Sequence, residues 1–306
     1  MTVTSMGATV APRLPSVVVG VGDGLLRTRV LDRAVAEAHR RDRTLRVVHV
    51  DGPATPDTPW YGDAGERAES YLSRTAPDVE VRRTCATGDP AAALAAACGA
   101  SSLLVVGDRH RRLGSEAGRT TEELIAIAPC PVLVLGEDRA PSAVHVPPRA
   151  VIVVGLDEGP GATVVLEHAL RIAQMSAEPV EVVHAVDEVT YDAGRIARRR
   201  DTDAGDEETD ARARIEDLVS AMKDRFPDVP TSVVVAEDRP ARLLLERALG
   251  ADLVVVAHRC RDAEDLVGLG STTRSLLLAA PCPVLVLGPL AGAGADGPGT
   301  RAGVVR

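Results

Sequence analysis

Short apolar runs alternate with amphipathic stretches along nearly the whole chain. Val17 to Val21 and Leu45 to Val50 are short enough for strands, and between them Leu26, Val30, Ala34 and Ala38 recur at the spacing that gives a helix one apolar face. The alternation continues through a helix carrying Ala68 and Leu72, a strand at Val79 to Arg83, a helix opened by Asp89-Pro90, a strand at Leu103 to Val106, a helix over Thr121 to Ile127 and a strand at Val132 to Leu135. Proline suits a first helical turn because its missing N–H has no intrahelical partner there. A second set follows, with strands at Val151 to Val154, Val180 to Val186, Ser232 to Val235, Leu253 to Val256 and Val284 to Leu287, and with Pro240 opening its third helix. Runs apolar at every position bury both faces, which requires a parallel sheet covered by helices on each side. The predicted fold class is α/β, with two tandem, doubly wound parallel-sheet domains of five strands each.

An exact repeat supports that division. The octapeptide PCPVLVLG occurs at Pro129 to Gly136 and again at Pro281 to Gly288, so the chain is a duplication. Gly20 matches Gly155, His49 matches His184 and Arg109 matches Arg259; the growing offset places an insertion near the charged stretch Arg198 to Asp210. The halves are expected at residues 14–137 and 150–288, joined by a Pro-containing linker at 138–149 and followed by a flexible tail at 289–306. In doubly wound sheets ligands sit outside the carboxyl ends of the strands, so the informative residues follow the first, second and fourth strands of each half.

Composition removes several classes of function. A formal charge of -9 and only five aromatic residues (one Trp, three Tyr, one Phe) give neither the basic surface nor the stacking platforms of a nucleic-acid binder. No apolar run reaches membrane-spanning length and no secretion signal opens the chain, so a cytoplasmic protein without membrane contact is expected. The five cysteines are odd in number and form no CxxC pair, which argues against a disulfide framework or a zinc site. Lys223 is the single lysine, so a GxxxxGK[ST] phosphate loop and an SxxK nucleophile are absent.

What remains resembles the universal stress protein family in its tandem form. The resemblance rests on VVGLD at the second half's first strand, VVH at the second strands, Gly88-Asp89-Pro90 before a third helix, LVVV at Leu253 to Val256 and the PCPVLV ending in both halves. It implies an adenine-nucleotide-binding-like fold with strand order 3-2-1-4-5 and the fifth strands of the two halves paired, giving a pseudo-dimer within one chain and leaving homodimerisation open. ATP-binding members of the family carry G-x2-G-x9-G-[ST] after the fourth strand. In the second half that spacing survives as Ala257, Cys260 and Gly270-Ser271-Thr272, with both early glycines lost. By the same resemblance Asp157 stands where the family contacts adenine, and Ala185 where a backbone contact to the base is expected. Gly270-Ser271 would offer backbone N–H groups to phosphate at a helix start, where the dipole favours anions.

The first half departs further. Its weaker candidates are Gly22 in place of the aspartate, Val50, Gly107, His110 in place of the second glycine, and Gly118 followed by Arg119 and Thr120, with the final spacing two residues short. Thr120 and Glu123 have the spacing of a capping box, which would put carboxylates where a phosphate belongs.

Other residues have simpler readings beside functional ones. His49 and His184 lack a nucleophile partner in sequence and read as structural histidines, and Cys130 and Cys282 as small apolar residues. Cys260 admits a redox reading, and Asp262, Glu264 and Asp265 a magnesium one, but a tolerated small residue and a solvated loop explain them. Trp60 beside Tyr61 reads as a loop pin, and Arg195 to Arg200 with the acids to Asp210 as a mobile loop or helix start. The expectation is a stress-response protein, not an enzyme, with no metal site of its own. Its second half would bind ATP or another adenine nucleotide such as cyclic AMP, with magnesium only on the nucleotide, and would thereby change its preference for a protein partner. The alternative is a nucleotide-independent interaction scaffold with two degenerate sites.

Overall fold

The computed structural model describes residues 15–22, 26–51, 63–107, 116–136, 147–159, 161–186, 201–258 and 269–291. The first half runs β1 (Val17–Val21), α1 (Thr28–Arg41), β2 (Leu45–Asp51), α2 (Ala64–Thr75), β3 (Val81–Thr87), α3 (Pro90–Ala97), β4 (Leu103–Gly107), α4 (Glu116–Ile127) and β5 (Val132–Leu135). The second repeats it as β6 (Ile152–Gly155), α5 (Ala162–Ser176), β7 (Val180–Val186), α6 (Asp201–Met222), β8 (Thr231–Glu237), α7 (Pro240–Arg247), β9 (Leu253–Ala257), α8 (Ser271–Ala279) and β10 (Val284–Leu287).

Local chemistry explains several boundaries. Asp63 and Asp89 occupy the N-caps of α2 and α3, and their carboxylates accept from Glu66 N at 3.0 Å and Ala92 N at 2.7 Å, satisfying donors the helix itself leaves open. Asp42 closes α1 in the left-handed region at φ 49, a conformation aspartate tolerates better than most residues. The third strand lies later than the expected Val79 to Arg83. Its register against β2 runs from Leu45↔Val81 to Asp51↔Thr87, and most of its side chains are exposed, so an apolar run does not mark its extent. The eighth strand is likewise longer than Ser232 to Val235, and the acids at Asp201 to Asp210 begin α6.

The strands form one sheet in the order β3-β2-β1-β4-β5-β10-β9-β6-β7-β8. Within each half all pairings are parallel, in the expected 3-2-1-4-5 order, and the halves meet through an antiparallel pairing of β5 with β10 at Val132↔Val286, Leu133↔Leu285 and Val134↔Val284. Two core layers cover the sheet. Val17, Val19, Ile152 and Val154 point toward α1, α2, α5 and α6, whereas Val18, Leu104, Val153 and Val254 meet α3, α4, α7 and α8. Among the described residues no helix is long and apolar enough to cross a membrane.

The joint also involves backbone. A Cβ on Gly288, just after β10, would lie 2.1 Å from the carbonyl oxygen of Ile125 near the end of α4. The repeat's other copy of this glycine, Gly136, has nothing within 4 Å of the same position. Arg274 on α8 faces Glu122 on α4 at 3.6 Å, a second contact between the halves.

Candidate functional site

The carboxyl edge of the second half gathers most of the expected residues. Gly155 pairs with Val183, so Asp157 and Ala185 come level two residues further along adjacent chains. On the other side of β6, Val154 pairs with Val255, and Ala257 ends β9 at the same edge. Asp157 does more than mark the position: its carboxylate accepts from Gly159 N at 2.8 Å, folding the loop into a tight Asx turn. Ala185 and Ala257 are both half-buried, leaving a small-residue lining on either side of Asp157.

The opposite wall is the start of α8. Buried Leu269 anchors the chain in the core, and Gly270 is the N-cap, with no side-chain hydrogen bond at the cap and no atom within 4 Å of where a Cβ would stand. Ser271 is therefore the first helical residue and not the cap; its carbonyl accepts from Ser275 Oγ at 2.8 Å. Thr272 follows in the first turn, and Thr273 is buried. Gly270 adopts φ -56, so neither its backbone nor its surroundings demand glycine, and the glycine leaves the space beside the helix start empty. Cys260 and the acids of its loop lie outside the described residues.

A polar chain absent from the sequence reading supports the Asp157 loop. His184 is buried and its Nδ1 lies 2.9 Å from the carbonyl oxygen of Leu156, which accepts, so Nδ1 carries the proton and Nε2 faces outward. Glu158 stands 3.7 Å from Nε2 and is gripped at 2.7 Å by Arg214 of α6. His184 is thus structural, as expected, but it belongs to the wall of the crevice. His258, immediately after β9, is also buried, and burial pushes its pKa down; its backbone N–H donates to Leu287 O at 2.8 Å. The Glu158–Arg214 contact spans the second half's insertion near Arg198 to Asp210, so no repeat offset could have suggested it.

The first half is built differently. Gly22 follows β1, Val50 is buried on β2, and Gly107 ends β4. A Cβ at Gly107 would meet Val30 Cγ2 at 2.9 Å, Arg27 Cδ at 3.2 Å and Arg27 Nη1 at 3.7 Å, so the Arg27 side chain lies across the end of β4. At the matching place in the second half stands Ala162, one residue after Gly161, the N-cap of α5. The expected helix start at Thr121 is corrected: α4 begins at Glu116, so Gly118, Arg119 and Thr120 sit within it. The predicted Thr120 to Glu123 capping box does not form, because Glu116, Ala117 and Arg119 favour helix strongly enough to extend it through Gly118. Arg119 is exposed. His110, Trp60 and Tyr61 lie outside the described residues, as does the Arg195 to Arg200 cluster. His49 is buried, with Nδ1 3.8 Å from Asp63.

Two parallel five-stranded units in switch-point order, each presenting loops at its carboxyl edge, define a duplicated, doubly wound α/β protein. Comparison with known sequences makes the assignment specific. The model of the Universal stress protein family matches residues 15–136 and 149–288, and the chain belongs to that family. Universal stress protein Rv2005c of Mycobacterium tuberculosis is 27% identical over 291 residues, spanning 88% of this chain and 96% of the relative. A universal stress protein of Mycolicibacterium smegmatis is 30% identical over 192 residues, 62% of each chain. Among solved structures, a functionally unknown protein from Pseudomonas aeruginosa superposes with TM-score 0.59 at 18% identity, covering 92% of this chain and 94% of its own. A universal stress protein from Archaeoglobus fulgidus does so with TM-score 0.59 at 15% identity, covering 89% and 98%. These two likenesses concern the fold.

Proposed function

We propose that the protein is a cytoplasmic stress-response protein whose second half binds ATP, or another adenine nucleotide such as cyclic AMP, as a regulatory ligand that alters its choice of protein partner. The observation that carries this reading is the start of α8: Gly270 opens the helix with no side-chain cap and with open space above it, at the carboxyl edge that also holds Asp157 and Ala185. Uncapped N–H groups at a helix start favour phosphate, and small residues beside Asp157 leave room for a flat base. The lost glycines at positions 257 and 260 weaken the phosphate grip without removing this helix start. Magnesium would arrive on the nucleotide. The reading is of a binder: Lys223, the single lysine, follows α6, and among the described residues no positioned base accompanies the site.

Isothermal titration with magnesium ATP tests the proposal. Saturable binding near one site per chain, abolished by Gly270→Glu, which sets a carboxylate against the phosphates, is the expected result. Absence of binding up to millimolar ATP sinks it. A second reading, a nucleotide-independent scaffold, is favoured by one observation: Arg27 lies across the first half's strand end, where a ligand would enter. An unaltered set of co-purifying partners with and without ATP would support that reading.

A further inference from the structure

The two halves differ in their cysteines in a way the nucleotide reading does not use. Cys98 ends α3 in an extended conformation, and Cys130 sits between two prolines just ahead of β5. Leu104 pairs with Val132 and Leu104 N donates to Pro131 O at 3.1 Å, so both cysteines lie at the amino edge of the β4–β5 pair. They are 2% and 0% exposed and share one core cluster. The two thiols are neighbours in that cluster, close enough for Cys98 to act on the Cys130 proton, and Cys98 Sγ donates to Leu94 O at 3.3 Å. In the second half Cys282 matches Cys130, but the residue matching Cys98 is Ala248, fully buried. The duplication therefore holds one dithiol and one natural single-thiol control.

We propose that Cys98 and Cys130 are a redox-active pair that closes reversibly to a disulfide inside the first half when a small neutral oxidant of the peroxide class reaches the core. One thiol, after losing its proton, attacks the peroxide O–O bond and becomes a sulfenic acid as hydroxide leaves. The second sulfur then attacks the sulfenic sulfur, forming the S–S bond and expelling water. In sum two thiols and one hydrogen peroxide give one disulfide and two waters. The neighbouring Cys98 thiol and burial push Cys130 up, so reaction is slow and the oxidant must be small and uncharged. The pairing rests on no bound nucleotide.

The test is peroxide treatment of the reduced full-length protein, followed by alkylation after unfolding and non-reducing peptide mapping of all five cysteines. Exposed Cys85 serves as the clock. The expected result is a linked Cys98–Cys130 peptide with loss of both alkylatable thiols, restored by dithiothreitol, while Cys282 stays alkylatable. In Cys98→Ala, Cys130 should remain alkylatable under the same treatment. That variant carries what the second half already accommodates at Ala248, so it is expected to fold. The inference is overturned if both thiols survive after Cys85 is consumed, if Cys130 links to another cysteine, or if Cys130 is lost equally in Cys98→Ala.

Discussion

The repeated octapeptide offers an experiment in which one substitution is made twice in the same sequence context. Gly288→Ala places a methyl carbon 2.1 Å from the Ile125 carbonyl oxygen and 3.3 Å from its carbon. That oxygen belongs to backbone near the end of α4, so it cannot swing aside as a side chain does; the β10 turn and α4 must separate by more than an ångström. Overpacking of this kind costs about 1–3 kcal/mol, and the upper half of that range is expected because the obstacle is a carbonyl at the joint between halves. At Gly136 the same methyl meets nothing within 4 Å. Neither glycine has positive φ, so alanine suits both backbones, and Gly136→Ala should be neutral or stabilising by up to about 1 kcal/mol through the unfolded chain. Thermal unfolding by calorimetry reads the difference as a fall of roughly 3–5 °C for Gly288→Ala against little change for Gly136→Ala. Equal midpoints for the two variants would refute the claim that the halves close on each other at Gly288.

Two further predictions concern charge. Glu181 is buried on β7 and holds both Arg149 and Arg247, the latter at 3.1 Å, while each arginine stays more than a third exposed. Glu181→Gln should cost about 1–2 kcal/mol in urea unfolding, and Arg247→Ala less than about 1, because one guanidinium remains on the carboxylate and the screened partner is worth little; a larger loss from the arginine would contradict this. Arg225 and Arg171 hydrogen-bond Glu167 and hold its carboxyl below the usual range. Its contribution is complete above the unfolded-state value of about 4.3 and is lost as pH falls through the depressed folded value. Glu167→Gln should therefore lose stability at neutral pH and flatten the acid limb of the stability profile; an acid limb of unchanged steepness would count against it.

Much of the architecture was legible because buried parallel strands are written in uninterrupted valine and leucine, and because the repeat numbers one half against the other. Val17 to Val21 and both Val-Leu-Val-Leu strands fall where their apolar runs lie. Legibility failed where burial does not select the residue. The edge strand β3 carries Arg82, Arg83 and Thr84 outward, so its pattern is polar and its ends were misplaced. At α4 the Thr-x-x-Glu spacing is a true cap signal only if the chain turns there, and helix-forming residues upstream kept it from turning. The Glu158, His184 and Arg214 chain joins a loop, a strand and a helix, a nearness that only tertiary structure creates.

The differences between the halves follow from duplication itself. Once β5 and β10 pair antiparallel at the centre of one sheet, the joint needs only one copy of each contact, and paired positions are free to diverge. Gly288 presses on α4 while Gly136 presses on nothing. Arg27 lies across the end of β4, whereas its match Ala162 is small, so the half with Gly22 at the position of Asp157 is also the half with a side chain over its strand end. The same half places Cys98 against Cys130 where the other keeps Ala248. The first half's departures from the G-x2-G-x9-G-[ST] spacing and the Cys98–Cys130 pair thus fall together, and the open helix start with Asp157 lies in the other half. That partition predicts that Cys98→Ala leaves ATP titration unchanged and that Gly270→Glu leaves the Cys98–Cys130 linkage intact; cross-effects in either direction would mean that the α4–α8 contact at Glu122 and Arg274 carries signal between the halves.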